Sequence, residues 1–160
     1  MDRRERWDIY DSHGRMRMTF NDWRLYCLFC LDGNSVAYVK VGISSQVYDR
    51  IRTLKTGLIF EMKTVLHTQI GGKELAGHIE RRIHQAFRHR KTRGEWFRFD
   101  LTNAFDKQEF HGVVKSIIAT HTGKSVDWQK ITPEQLNAYV ALKVSEKKKP
   151  KRAKYPLQCA

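Results

Sequence analysis

Two apolar runs on either side of a tight turn constrain this chain most. Leu25-Tyr26-Cys27-Leu28-Phe29 and Val36-Ala37-Tyr38-Val39-Lys40-Val41-Gly42 flank Asp32-Gly33-Asn34. β-Branched and aromatic residues suit a pleated, half-buried surface. Gly reaches positive φ without steric cost, and Asp and Asn hydrogen-bond their own backbone, so the link reads as a hairpin turn. The spacing predicts two antiparallel strands within residues 23–43.

The segments that follow supply the rest of a layered domain. Val47, Ile51 and Leu54 fall on one face of a helix over 46–55, which Ser44-Ser45 can cap and Thr56-Gly57 ends. Loose alternation over 58–70 suggests a third strand, stopped by Gly71-Gly72. Leu75, Ile79, Ile83 and Ala86 line a second helix over 73–90. Glu95-Trp96-Phe97-Arg98-Phe99 is a short apolar-rich segment expected to pack on the sheet. A further helix is expected over 103–121. Thr132-Pro133-Glu134-Gln135 opens a last one to about 145, with Thr132 as N-cap and Gln135 closing a capping box. The expected class is α/β (α+β): a small three-stranded antiparallel sheet flanked by helices, with additional C-terminal helices. The boundaries drawn are an N-terminal arm or hairpin at 1–22, a core domain at 23–101, a helical extension at 102–145 and a flexible basic tail at 146–160.

Charge speaks to partners. The net charge is +13, and the last fifteen residues carry six Lys or Arg against one acid, which leaves +8 on the remainder. The folded part is thus basic in its own right. Nucleic acid is the leading partner, because phosphate contacts supply most non-specific affinity. No amphipathic or lipidated anchor and no apolar run of spanning length is found, so a membrane is not an expected partner. The N-terminus, Met1-Asp2-Arg3-Arg4-Glu5-Arg6, has no apolar leader. The expectation is a soluble, intracellular (cytoplasmic) protein. Three cysteines are too few for a disulfide framework. Cys27 and Cys30 are three apart on a strand, which points them to opposite faces, so they read as core residues and not half of a zinc site.

Some polar residues sit where chemistry could use them. Glu80 and His84 are four apart and share a helix face beside the apolar line. Arg81, Arg82 and the acid-free run Arg88-His89-Arg90-Lys91-Thr92-Arg93 make that neighbourhood cationic. A carboxylate in a basic field is suited to holding a divalent cation beside phosphate. His84 could be a second ligand, a proton carrier or a phosphate contact. Arg50 borders an apolar helix stripe and could clamp a phosphate and stabilise its growing charge. Tyr26 and Tyr38 could orient or deprotonate a water. The cations expected to meet phosphate are Arg52, Lys55, Arg81, Arg88, Arg90, Lys91 and Arg93.

In order and spacing, residues 25–99 resemble the GIY-YIG nuclease superfamily, and within it the phage T5-type DNA-binding (T5orf172-like) branch. Tyr26 matches the first-motif tyrosine, Gly42 the second-motif glycine, Arg50 the helix arginine and Glu80 the helix glutamate. His84 and the run Gly94-Glu95-Trp96-Phe97 match the phage-type branch. The resemblance implies a divalent-metal-dependent DNA endonuclease, a nicking enzyme in one version, encoded by a phage or mobile element. It implies Glu80 as the single protein ligand to Mg²⁺ or Mn²⁺, Arg50 on the phosphorane-like charge, and products with 5′-phosphate and 3′-hydroxyl. The second-motif tyrosine is Lys40 here, with Tyr38 two residues earlier as an alternative, and Leu54 stands where many relatives carry histidine. The competing expectations are a non-catalytic DNA-binding module of the same fold, or a phage protein that binds a host factor.

Overall fold

The computed structural model describes residues 22–148. Residues 1–21 of the expected arm at 1–22 and 149–160 of the expected tail at 146–160 lie outside the described residues, while 146–148 are helical and correct the tail's start. Five strands and four helices follow in the order β1 (Trp23–Asp32), β2 (Val36–Ser44), α1 (Val47–Lys55), β3 (Glu61–Gly71), α2 (Lys73–Ala86), β4 (Trp96–Asp100), α3 (Ala104–Thr122), β5 (Gln129–Ile131) and α4 (Pro133–Lys148).

The hairpin forms, with Gly33 at φ 62° in the turn, where a side chain would be strained. Tyr26 pairs with Gly42 and Leu28 with Lys40. The expected three strands are corrected to five, all antiparallel, in the order β4-β2-β1-β3-β5. Both additions are edges. The Trp96–Asp100 segment joins β2 as β4 instead of only packing on it. β5 pairs three residues with Val65, Leu66 and His67, and two of its own three are exposed and polar, so nothing in its pattern marks a strand.

Period-two alternation divides β1 between two cores. Leu25, Cys27, Val39 and Val41 pack with Ile79, Ile83 and Phe87 of the α2 segment and with Phe110, Val114 and Ile118 of α3. Tyr26, Leu28 and Cys30 face the other way, with Val47 and Ile51 of α1 and Leu136 of α4. Helices thus cover both faces of the sheet. Cys27 and Cys30 are buried, free, and on opposite faces.

The helix ends follow local chemistry. Thr132 and Gln135 form the reciprocal capping box, with Gln135 N donating to Thr132 Oγ1 at 3.2 Å and Thr132 N to Gln135 Oε1 at 2.9 Å. The second helix ends at Ala86, short of the expected 90, and one 3₁₀ turn spans Arg88–Arg90. That turn aims Arg90 at α3, where its guanidinium meets Asp106 at 2.9 and 3.0 Å, bonds Glu109, and lies 4.8 Å from the Phe99 ring centroid. α4 is tied to α1: Tyr139 Oη donates to Asp49 Oδ1 at 3.0 Å, Lys55 Nζ donates to Asn137 Oδ1 at 2.9 Å, and the Tyr48 and Tyr139 rings lie 5.0 Å apart.

One buried group makes stability depend on pH. Arg24 Nη1 lies 3.1 Å from His67 Nδ1 and 3.0 Å from Gln129 Oε1. A guanidinium only donates, so this ring nitrogen accepts and His67 is neutral in the fold. Burial, reinforced by Arg24, lowers its pKa to about 4. A histidine with a depressed folded pKa binds its proton in the unfolded chain first, so stability falls as pH drops from about 6.5 toward 4. Relative to His67→Gln, which keeps an acceptor for Arg24, the native chain loses up to about 2 kcal/mol between pH 7 and pH 5. Urea midpoints of both proteins at the two pH values check this; parallel midpoints would assign the pH dependence elsewhere.

Candidate functional site

The site forms where β1 and β2 leave β4 behind. Pairing of β2 with β4 stops at Lys40–Trp96, so residues 41–44 have no strand on that side among the described residues. α2 lies along this gap, and His84 Nε2 sits 2.9 Å from the Val41 carbonyl oxygen. A carbonyl only accepts, so Nε2 carries the hydrogen and Nδ1 is the ring position left to accept a proton or a ligand. The ring is also held edge-on to Phe97 at 5.1 Å. One turn earlier on the same face stands Glu80, half-buried.

Tyr26 fixes the other side. It is 1% exposed, and its ring lies across Gly42: a Cβ built there would come within 2.6 Å of Tyr26 Cζ. The glycine is therefore what lets the phenol cross the hairpin. The Tyr26 hydroxyl meets the guanidinium of Arg50, which α1 presents as an exposed side chain. As a guanidinium only donates, Tyr26 accepts from Arg50 and keeps its own hydrogen to give.

Lys40 is 8% exposed and ion-pairs with Glu95, from the loop before β4. Its ammonium also lies 5.9 Å from the Trp96 ring centroid. A lysine with its charge matched in this way is a donor with no lone pair to take a proton.

The two carboxylates are driven apart in character. Burial raises the Glu80 pKa, and Glu95 adds to this, while His84, Lys40 and Arg81 oppose it. The hydrogen bond from Lys40 lowers the Glu95 pKa, against its own partial burial. Burial raises Tyr26, partly offset by Arg50. Tyr26 in turn, with Glu95 and Glu80, raises Arg50 further. Glu80 is thus a desolvated carboxylate that gains from a cation, and Glu95 is one that already has its cation.

Tyr26, Lys40, Arg50, Glu80 and His84 are brought together by the fold. Tyr38 is not with them: its ring stacks on Phe60 at 4.5 Å, further along the same sheet face. Arg81, Arg88, Lys91 and Arg93 are exposed, Arg88 in a groove between α2 and α3, while Arg52 pairs with Asp49 at 3.5 Å and Lys55 with Asn137. Arg90 is turned to Asp106 and Glu109. Glu95 is the residue that sequence reasoning missed as a participant. Its signal was present: it is the first acid after six residues containing four Lys or Arg.

Among the described residues no group of three or more His, Cys, Asp or Glu gathers as a metal cage. Mg²⁺ does not need one, because it retains several waters and takes one or two carboxylates plus substrate phosphate. Glu80, a desolvated oxygen donor next to exposed cations, fits that mode.

A family model described as the T5orf172 domain matches residues 25–118, which include every residue of this constellation. Comparisons with curated proteins and with solved structures return no match.

Proposed function

The chain belongs to the T5orf172 domain family, and we propose that it is a divalent-metal-dependent DNA endonuclease of GIY-YIG type. The observation that carries this reading is the convergence of Arg50 and Glu80, from two different helices, on a tyrosine laid across Gly42. A binding module has use for cations but little for a desolvated carboxylate among them.

In the proposed hydrolysis a water attacks phosphorus and the P–O3′ bond breaks. Arg50 donates to the non-bridging oxygens as charge builds on them. Tyr26, a buried phenol with a raised pKa, donates its hydrogen bond to the water or the phosphate and is not the base. Lys40 adds a second positive donor, held in place by Glu95. His84 Nδ1 is positioned to take the proton of the water, its ring fixed through Nε2. Glu80 would hold Mg²⁺ or Mn²⁺, which when bound supplies Lewis-acid stabilisation of the leaving oxygen. The strand is gripped by the exposed cations Arg81, Arg88, Lys91 and Arg93.

One observation favours a second reading. The second-motif position holds an ion-paired lysine, which suits a non-catalytic DNA-binding module of the same fold. Supercoiled plasmid with Mg²⁺ or Mn²⁺ separates the two. The native protein is expected to nick or linearise it, while Glu80→Ala retards it in a gel without cutting. If both proteins retard the plasmid and neither cuts, the module reading replaces the enzyme.

A further inference from the structure

A cavity of about 270 Å³ opens beside the site. Tyr38, Phe60, Trp96 and Leu58 line it, with Ile59 and Arg93 contributing to its wall. Trp96 is shared: it also faces the Lys40 ammonium at 5.9 Å. The Tyr38 and Phe60 rings stack on each other, parallel within 4° and 4.5 Å apart, and with Trp96 they give the cavity a three-ring aromatic lining. Ile59 is 90% exposed, the highest value among the large apolar side chains described. It precedes Phe60 in the loop between α1, which carries Arg50, and β3.

We infer that this cavity takes one nucleobase swung out of the DNA strand next to the phosphate held at the site; the inference rests on the DNA-cleavage reading above. Four features select a base over other apolar groups. An aromatic lining of three rings can stack on a π-face, and every base has two. Arg93 at the wall, in a basic surround, matches the phosphodiester that flanks a base. The shared Trp96 makes the cavity continuous with the Lys40–Glu95 end of the site, so strand and base enter together. An isoleucine standing free at the rim has the position of an apolar wedge, which fills the gap that an unstacked base leaves. Tyr38 thereby acquires a role the reacting centre does not give it: it is part of the base platform.

The test compares two single strands of equal phosphate number, a ten-nucleotide oligothymidylate and its abasic analogue. Binding is read by fluorescence anisotropy on the full chain, in EDTA so that nothing is cut. The native protein is expected to bind the base-bearing strand about tenfold more tightly, the size of one base–aromatic stacking contact. Phe60→Ala and Phe60→Leu bring that ratio close to one without changing affinity for the abasic strand. Phe60→Leu keeps apolar volume, so a loss there reports the ring and not a collapsed fold. A native ratio near one, or a ratio that survives both substitutions, overturns the base cavity and leaves the cleavage reading intact. Failure to bind either strand overturns both.

Discussion

Arg50→Ala is expected to lower the single-turnover rate of the proposed plasmid cleavage by about 10³-fold, while retardation of the same plasmid changes only a few-fold. An arginine on the transferring phosphoryl group contributes about 10³–10⁵ in comparable reactions, and a single lost oxyanion donor about 10²–10³. The lower end applies because Arg50 is exposed and Lys40 stands by as another cation. Arg50→Lys recovers only part of the rate. It restores charge but not the planar fork that donates to Tyr26 and to phosphate at once. Binding is spared because the other exposed cations, Arg81, Arg88, Lys91 and Arg93, still hold the backbone. Cleavage within tenfold of native in Arg50→Ala would remove Arg50 from the reacting centre.

Gly42→Ala damages stability and rate together. The added methyl lies 2.6 Å from Tyr26 Cζ, and Tyr26 at 1% exposure has nowhere to retreat. Overpacking of this kind costs about 1–3 kcal/mol, which in a chain of this length lowers Tm by roughly 2–12 °C. Any displacement of the ring also shifts its contact with Arg50, and misplacement by about 1 Å can cost 10²-fold in rate. Pairing Gly42→Ala with Tyr26→Leu is expected to recover the Tm and not the rate, since the smaller side chain relieves the clash but has no hydroxyl. Thermal unfolding and the nicking assay on both variants check this. A Gly42→Ala protein with native Tm would mean that the hairpin accommodates the methyl and that the glycine is not there for the ring.

Much of the fold was legible because it is written in short-range chemistry. The hairpin follows from Asp-Gly-Asn between two apolar runs, and α4 begins at Thr132-Pro133 with its capping box formed. β5 was not legible, because three residues with two exposed polar side chains carry no period; it exists only through Val65, Leu66 and His67 across from it. At the site, residue type and spacing singled out Arg50, Glu80 and His84, and the fold brings them together. What spacing does not say is which charge meets which. Arg90 and Arg88 look alike in an acid-free run, yet the 3₁₀ turn sends Arg90 to Asp106 and Glu109. Tyr38 and Lys40 share a strand face, yet Phe60 takes one and Glu95 the other. Such pairings are set by partners sixteen or more residues away, and local pattern is blind to them.

The tie between α1 and α4 divides the site by mechanical support. Glu80 and His84 ride on a helix whose apolar side is locked into the sheet and α3. Arg50 rides on a nine-residue helix steadied by Tyr139 and Asn137, which lie beyond the residues matched to the family at 25–118. The half with Glu80 and His84, proposed to hold the metal, is thus footed within the shared domain, and the half with Arg50, proposed to hold the phosphate, leans on a C-terminal brace outside it. Sequence drift or a bound molecule at α4 could retune the arginine while leaving the glutamate where it is, which makes the brace a natural place for one member of such a family to diverge from another.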